Sequence, residues 1–257
     1  MTSSLEQICV STWSFHTLFE ADKPMDARDF PEMVADRYHV HNVEMVYPHF
    51  ASTEPSYVNE FNDRLRKAHS RVVNIPIDYK ELWEKPSLSS PNRQEREHAI
   101  GLYQKGIDLA AAVGAPAGRC DPGLVNLDDP SLTIESYRTL AAYGQAKGVR
   151  IVVENHGSIS RHPEVLVNIL ESAGAGALPD MGNFPNVETR ERGLRLLYPL
   201  AKDLCHAKSR PQVDDLPRCV QLAKEAGFRG VYSIEAGNAS DPYAAVQEIL
   251  DVLVANI

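Results

Sequence analysis

Four acidic or imidazole side chains stand at regular intervals in the second half of the sequence. They are Glu154, Asp180, His206 and Glu235, and successive members are 26, 26 and 29 residues apart. Each follows a short apolar run: "RIVV", "GALP", "LC" and "GVYSI". Carboxylates and imidazoles bind divalent cations and move protons. Their function depends on whether the fold brings them together.

The whole chain alternates short apolar runs with amphipathic segments. The runs predict strands at 8–13, 43–47, 72–77, 117–120, 150–154, 176–180, 204–208 and 230–235. Between them, segments such as "IGLYQKGIDLAAAVG" repeat apolar residues every three or four positions, which indicates helices. Glycines expected just after helices follow several of these segments: Gly114, Gly148, Gly174 and Gly227.

Eight strand–helix units without a change of composition predict one domain spanning residues 1–257. The length is typical of a (β/α)8 barrel, and an open doubly wound sheet is the alternative. No G-x-G-x-x-G or G-x-x-x-x-G-K-[ST] pattern opens a helix after a strand, which favours the barrel.

Composition disfavours several classes of protein. A net charge of −9 opposes binding to nucleic acid or to an anionic membrane surface. The four cysteines show no C-x-x-C spacing, and we expect reduced thiols in a cytoplasmic protein. We see no signal peptide and no apolar run near the roughly 18 residues of a membrane span. We therefore expect a small-molecule partner, and a homo-oligomer stays open.

In a barrel, the carboxyl ends of all strands open onto one face, where active sites lie. Glu154, Asp180, His206 and Glu235 would then share one rim. Three carboxylates at such short distances from one another need a compensating positive charge, because like charges raise one another's pKa. Carboxylate oxygens and one imidazole suit a divalent ion such as Mn²⁺, Mg²⁺ or Co²⁺.

Four short motifs strengthen this interpretation: "VVENHG", "PDMGNF", "CHAK" and "YSIEAGN". With them the chain resembles the xylose isomerase-like superfamily of TIM-barrel sugar isomerases and epimerases. The resemblance implies that Glu154, Asp180, His206 and Glu235 bind one divalent ion, with Mn²⁺ expected and Mg²⁺, Co²⁺ or Zn²⁺ as alternatives. Asn183 stands where keto-hexose epimerases often have a substrate-binding His, so we expect Asn183 to bind substrate and note this departure from a simple 3-epimerase pattern.

Further candidates lie beside these ligands in the sequence. His156 is two residues beyond Glu154 and is expected to contact substrate or to orient Glu154. Lys208 is two residues beyond His206, where a cation would polarise a carbonyl or neutralise an enolate, so Lys208 is a catalytic candidate.

Three other residues lie near the ends of the first, second and fourth strands. Arg119 and Glu44 either line a substrate pocket or form ion pairs inside the barrel. His16 follows the first strand and is a weaker substrate-binding candidate.

The expected reaction is isomerisation or epimerisation of a sugar or keto-polyol. Glu154 and Glu235 would exchange a proton α to a carbonyl, through an enediolate stabilised by the metal. A dehydratase of the inosose or 3-dehydroshikimate type is the alternative, because the same enolate can expel a β-hydroxyl. An endonuclease IV-like phosphodiesterase and a non-catalytic sugar-binding relative are the competing classes.

A phosphorylated substrate is disfavoured by the loops after strands seven and eight. These loops, "SRPQVDD" and "AGNASDP", lack the Gly-rich amide nest that barrels use for phosphate. Arg210 in the first loop could nevertheless pair with a phosphate group.

Overall fold

Eight parallel strands alternate with eight α-helices in the computed structural model, which describes residues 4–20, 25–83, 85–208, 215–237 and 239–257. The strands are β1 Ile8–Ser11, β2 Asn42–Glu44, β3 Arg71–Ile77, β4 Ala117–Cys120, β5 Arg150–Glu154, β6 Gly176–Leu178, β7 Leu204–Ala207 and β8 Val231–Ile234. The α-helices are α1 Phe30–Tyr38, α2 Pro55–Lys67, α3 Arg93–Ala112, α4 Ser131–Lys147, α5 Pro163–Ala173, α6 Val187–Leu197, α7 Leu216–Glu225 and α8 Pro242–Asn256. Short 3₁₀ helices include Thr12–Phe19, Tyr47–His49 and Gly157–Arg161.

The sheet closes into a barrel between β6 and β7. Its hydrogen-bonded order is β6-β5-β4-β3-β2-β1-β8-β7. The remaining seam holds one isolated bridge between Asp180 and His206. There the N–H of His206 donates to the carbonyl of Pro179 at 2.8 Å, and the N–H of Met181 donates to the carbonyl of His206 at 3.1 Å. The TIM barrel predicted from the sequence is confirmed, and two candidate ligands lie at its seam.

The barrel interior is layered because strand side chains alternate between two faces. The lower layer is a buried apolar cluster of Cys9, Val73, Ala117, Val152, Leu178, Leu204 and Val231. Two positions further along β4, β5 and β7 come Arg119, Glu154 and His206, all buried. The strands therefore carry an apolar floor below a layer of ionisable side chains.

A second, larger core joins the outer face of the strands to the helices. It includes alternate strand residues such as Val10, Ile151 and Val153 and the inner faces of the helices. Helices α4 and α5 end at Gly148 and Gly174, whose φ angles are 75° and 72°. Only glycine adopts this left-handed conformation freely, which confirms the helix ends predicted there.

All eight predicted strands exist, and several are shorter than predicted. β1 stops at Ser11 because the Ser11 hydroxyl accepts a hydrogen bond from the Trp13 N–H at 3.2 Å and caps the following 3₁₀ helix. β2 stops at Glu44, since the Val46 N–H turns to the Thr12 hydroxyl at 2.9 Å. β6 stops at Leu178, before Pro179, which has no N–H to donate to a ladder.

Candidate functional site

The four side chains singled out in the sequence meet at the carboxyl end of the barrel. One potential ligand atom from each of Glu154, Asp180, His206 and Glu235 lies within 4.8 Å of the others, and all four residues are buried. Nδ1 of His206 is 3.2 Å from Glu154 Oε1, 3.4 Å from Asp180 Oδ2 and 3.5 Å from Glu235 Oε2. The structure thus brings together every residue of the predicted ligand set, called below the quartet.

Asp180 is held rigidly although it lies outside the regular strand. The side-chain amide of Asn155 donates to the Asp180 carbonyl at 3.0 Å, and its oxygen accepts the Asp180 N–H at 2.7 Å. The Gly182 N–H donates to Oδ1 of Asp180 at 2.7 Å. Oδ2 accepts no hydrogen bond of good geometry from the described residues and faces the ammonium of Lys208 at 2.6 Å. This buried carboxylate oxygen is therefore placed to interact with positive charge.

Glu44 lies behind His206 rather than against a substrate. It is completely buried, and its Oε1 is 3.1 Å from Nε2 of His206. The Asn74 amide donates to Oε1 at 2.7 Å and the Ser233 hydroxyl donates to Oε2 at 2.8 Å. Because Glu44 accepts the Nε2 proton, Nδ1 is the nitrogen left for a metal. Of the two predictions for Glu44, the structure matches the ion pair and does not place Glu44 in the cavity wall.

Lys208 reaches into the centre of the quartet. Its Nζ is 2.6 Å from Asp180 Oδ2, 2.9 Å from Glu235 Oε2 and 3.8 Å from Glu154 Oε1. Burial lowers the pKa of Lys208, but these carboxylates outweigh burial and raise the pKa above its ordinary value. Gly182 makes room for this side chain, since a Cβ there would lie 2.9 Å from the Lys208 Cβ.

The two glutamates of the quartet differ in electrostatic environment. Burial would raise the pKa of Glu154, but Arg119, His206 and Lys208 hold it well below its ordinary value. Burial raises the pKa of Glu235 and prevails over the opposing effect of His206 and Lys208. Glu235 therefore accepts a proton more readily than Glu154 does.

Arg119 joins the quartet to a second group of acids. Its Nη1 donates to Glu154 Oε2 at 2.6 Å, and its Nη2 forms an ion pair with Asp78. Asp121 Oδ2 is 3.9 Å from Nη1. Arg119 is buried yet contacts the cavity, so both predictions for this residue hold.

His156 and Asn183 both line the cavity, in agreement with their predicted positions. Nδ1 of His156 is 2.7 Å from Asp121 Oδ2, and this hydrogen bond raises the pKa of His156 to about 9. The Asn183 amide donates to Glu154 Oε1 at 2.9 Å, and its oxygen accepts from Lys208 Nζ at 3.3 Å. Both residues are positioned by ionisable neighbours.

His16 packs against Trp13. Its ring stacks on Trp13 at a centroid distance of 4.8 Å, and Nδ1 is 3.0 Å from the Trp13 carbonyl. Trp13 lines the cavity, and His16 is not among the lining residues. The role of His16 in substrate binding stays a prediction.

A cavity of about 1100 Å³ opens above the quartet. Its wall includes Glu154 and Glu235 on one side and Asp78, Trp83 and Asp121 on another. Loop residues 209–214, including Arg210, lie outside the described residues.

Sequence reasoning missed several residues that build this site. Asn155 was overlooked because it lies between two more reactive side chains, Glu154 and His156. Side chains alternate along an extended segment, so Asn155 is expected to point to the opposite side from both of them. Asp78 directly follows β3 and Trp83 lies in the next loop, so a complete survey of strand ends would have found Asp78. No local signal identifies Asn74 or Ser233 as partners of Glu44.

Fold and site together define an eight-stranded α/β barrel with a buried carboxylate–histidine cluster at its carboxyl face. A sequence profile of the xylose isomerase-like TIM barrel family matches residues 35–255, and the chain belongs to this family. A search of curated protein sequences finds no match.

Solved structures with the same fold share little sequence identity with the chain. A D-tagatose 3-epimerase-like protein is 18% identical with a TM-score of 0.74, and the match covers 97% of each chain. A xylose isomerase-like TIM barrel protein from Mycobacterium smegmatis, in complex with magnesium, is 17% identical with a TM-score of 0.68 over 100% of this chain and 99% of that one. The IOLI protein with a bound zinc atom is 13% identical with a TM-score of 0.76 over 98% and 99%.

Within the described residues, no helix is long and apolar enough to cross a membrane.

Proposed function

We propose that this protein is a divalent-metal-dependent isomerase or epimerase that moves a proton α to the carbonyl of a sugar or keto-polyol. The observation that carries the proposal is the quartet, whose ligand atoms lie within 4.8 Å of one another at the base of a cavity. The D-tagatose 3-epimerase-like fold neighbour supports a sugar as the substrate class.

The residues present fit a divalent ion. Three carboxylates and an imidazole nitrogen converge, Glu44 fixes the imidazole, and Oδ2 of Asp180 already faces positive charge, the Lys208 ammonium at 2.6 Å. Oxygen and imidazole ligands suit Mn²⁺, with Mg²⁺, Co²⁺ and Zn²⁺ as alternatives, and fold neighbours contain magnesium or zinc. When bound, the ion would polarise the substrate carbonyl and stabilise negative charge on oxygen.

The protein's own groups would move the proton. Glu235 is the candidate base, because Arg119 already holds Oε2 of Glu154, and Glu235 would remove the proton from the carbon next to the carbonyl. The electron pair of the broken C–H bond moves toward the carbonyl oxygen. Lys208 lies 2.9 Å from Glu235 and supplies positive charge close to that oxygen. Return of the proton to the opposite face of the same carbon completes epimerisation, and return to the neighbouring carbon completes isomerisation. Glu154 is the candidate for returning the proton from the other face of the substrate.

A dehydratase is the second candidate, and the Asp121–His156 hydrogen bond favours it. With a pKa of about 9, His156 is protonated at neutral pH and can give a proton to a leaving hydroxyl. Water would then leave from the carbon β to the carbonyl.

A phosphodiester substrate fits this cavity poorly. The carboxylates of Asp78 and Asp121 line its wall, and the net charge of the chain is −9. Both would repel a nucleic-acid backbone.

A cytoplasmic location fits the chemistry of the cysteines. Cys9, Cys120, Cys205 and Cys219 are buried and form no disulfide. Reduced thiols are usual in the cytoplasm.

Deuterium exchange tests the proposal directly. Protein loaded with Mn²⁺ is incubated in D₂O with keto-sugars, inososes and keto-acids, and NMR follows both deuterium uptake and products. We expect deuterium to enter next to the carbonyl of at least one substrate. A dehydratase would release water from that substrate. The proposal would be refuted if no substrate in the series exchanged a proton or released water with any of Mn²⁺, Mg²⁺, Co²⁺ and Zn²⁺.

A further inference from the structure

The wall of the cavity divides into two halves with different chemistry. The metal half carries Glu154, His156, Asn183, Lys208 and Glu235, which come from β5 to β8 and the segments that follow them. The distal half comes from β1 to β4 and the segments that follow them. Its large apolar side chains are Trp13, Val46, Trp83 and Leu124. Neighbouring strands lie side by side around the rim, so these two halves face each other across the opening.

The distal half exposes apolar surface that packing of the protein does not explain. Trp83 is 37% exposed and Leu124 is 44% exposed. They are two of five large hydrophobic side chains exposed among the described residues, and the other three, Val187, Leu196 and Val254, belong to the outer helices α6 and α8. Apolar groups gathered at the mouth of a polar cavity mark a binding surface.

This apolar surface is held in place by its backbone. The Leu124 N–H donates to the Lys85 carbonyl at 2.8 Å, and the Ser89 hydroxyl also bonds the Leu124 carbonyl. Gly123 has a φ of 67°, and a Cβ there would lie 2.4 Å from the Lys85 carbonyl oxygen. The segments after β3 and β4 therefore pack closely, which keeps Leu124 at the cavity mouth without ligand.

The polar groups of the distal half suit a neutral ligand. Asp78 and Asp121 offer carboxylate oxygens, which accept hydrogen bonds from hydroxyl groups. The cations that line this part of the cavity wall are already paired with carboxylates: Arg119 with Asp78 and Glu154, and His156 with Asp121. A phosphate or carboxylate would meet these acids, and neither of the two lining cations Arg119 and His156 is free to pair with it.

The size of the cavity exceeds what a single sugar needs. Its volume of about 1100 Å³ is slightly above the roughly 300–1,000 Å³ of pockets that enclose drug-sized ligands. A single ketose held at the quartet would fill only part of this volume.

We propose that the substrate carries a neutral second ring, a glycosyl group, which stacks on Trp83 and Trp13 while the keto-sugar lies at the quartet. The inference rests on the proposed function for the reacting end and extends it to the substrate class: a keto-glycoside. One face of a pyranose presents C–H groups that pack on an aromatic ring, and its hydroxyls reach Asp78 and Asp121 at the edge.

The two tryptophans make this inference measurable without turnover. The chain contains two Trp residues, and both line the cavity. Intrinsic fluorescence therefore reports ligands in the distal half. Three matched probes differ only at one position of the same ketose: D-fructose, its 6-O-glucosyl derivative isomaltulose, and fructose 6-phosphate. Each is titrated into the Mn²⁺-loaded protein, and calorimetry checks the dissociation constants.

We expect isomaltulose to bind about 10-fold more tightly than fructose, and fructose 6-phosphate to bind no more tightly than fructose. Trp83→Ala should abolish the advantage of isomaltulose, while Trp83→Phe, which keeps an aromatic ring, should retain most of it. Leu196→Ala removes an equally exposed side chain far from the cavity and is the matched control.

Equal affinities for fructose and isomaltulose, tighter binding of the phosphate, an unchanged isomaltulose advantage in Trp83→Ala, or no response to any probe would each overturn the inference. The deuterium assay separates this failure from failure of the proposed function. Exchange without an isomaltulose advantage leaves the isomerase proposal standing and removes the second ring. An isomaltulose advantage without exchange on any metal keeps the distal site and removes the isomerase.

Discussion

Glu44 and His206 are 162 positions apart in the sequence, yet Oε1 of Glu44 lies 3.1 Å from Nε2 of His206 inside the barrel. Glu44 is in turn held by Asn74 and Ser233. A carboxylate that accepts the second ring proton orients a metal-binding histidine and makes it a better ligand. The quartet is therefore supported by Glu44 and Asn74 of β2 and β3, which contribute no ligand of their own, and by Ser233 of β8.

Replacement of Glu44 tests this support. Glu44→Gln keeps the size of the side chain but removes its charge, and we expect metal affinity to fall by about 10–100-fold. Mn²⁺ titration calorimetry measures the change, with circular dichroism to confirm folding. Asp203→Asn is the control, because Asp203 pairs with Arg150 at the opposite end of the barrel. Wild-type affinity in Glu44→Gln would show that Glu44 does not act on His206.

Metal binding should depend on pH. Burial opposes the charged form of His206, but Glu235, Glu44 and Glu154 raise its pKa well above the ordinary value. A metal must displace the Nδ1 proton, so affinity should increase as pH rises and binding should release a proton. Calorimetry in two buffers of different ionisation enthalpy counts the protons, and metal analysis should find about one ion per chain.

Asp180→Asn should lose this ion, because the amide lacks the charge of the carboxylate. If wild-type protein neither contains nor takes up Mn²⁺, Mg²⁺, Co²⁺ or Zn²⁺ at any pH, the quartet is not a metal site.

The two glutamates of the quartet should contribute unequally to proton transfer. Glu235→Gln should slow deuterium exchange by on the order of 10²–10⁴, because the amide cannot accept a proton. Glu154→Gln should slow exchange less, since Arg119 already holds Oε2 of Glu154. The assay is mass spectrometry of substrate in D₂O at saturating Mn²⁺, with Glu191→Gln on the outer surface as control. Equal exchange in wild type and both variants would exclude the pair from the chemistry.

Lys208 should matter more for turnover than for the metal. Its ammonium lies among the carboxylates that would bind the ion. Lys208→Met removes a competing cation, so we expect Mn²⁺ affinity to stay the same or to rise. Turnover should fall by on the order of 10², because positive charge next to the reacting oxygen is lost. Paired calorimetry and exchange measurements decide this, and a loss of metal as complete as in Asp180→Asn would contradict the assignment.

His156 predicts a pH dependence of stability. Asp121 raises its pKa from 6.5 to about 9, so its contribution is fully present below pH 6.5 and is lost as pH rises through about 9. The ring is about half exposed, which limits the effect to about 1 kcal/mol or less. His156→Gln should therefore destabilise the protein more at pH 6 than at pH 9.5, as measured by urea unfolding. An NMR titration of the His156 ring measures its pKa directly, and a value near 6.5 would contradict the prediction.

His156→Ala should also weaken turnover more than it weakens metal binding.

Much of the fold and the quartet follow from local patterns in the sequence. Apolar runs of four to six residues separated by helical periodicity define β/α units, and a chain of eight such units closes into a barrel. Parallel strands present their carboxyl ends on one side, so Glu154, Asp180, His206 and Glu235 had to approach each other once the barrel was recognised. Strand ends were predicted less well, because β1 and β2 stop where Ser11 and Thr12 side chains capture backbone N–H groups.

Contacts across the interior were decided only by the tertiary structure. Strand register decided that Glu44 contacts His206 and does not line the cavity. The course of the loop after β1 decided that His16 stacks on Trp13. The same holds for Arg119, which spans Glu154 and Asp78 from neighbouring strands, and for Lys208, which enters the quartet because Gly182 leaves space. The sequence by itself determined which residues reach the rim, since that depends on a local period of two. It did not determine their partners, because those lie on strands that are distant in the chain and meet only when the barrel closes.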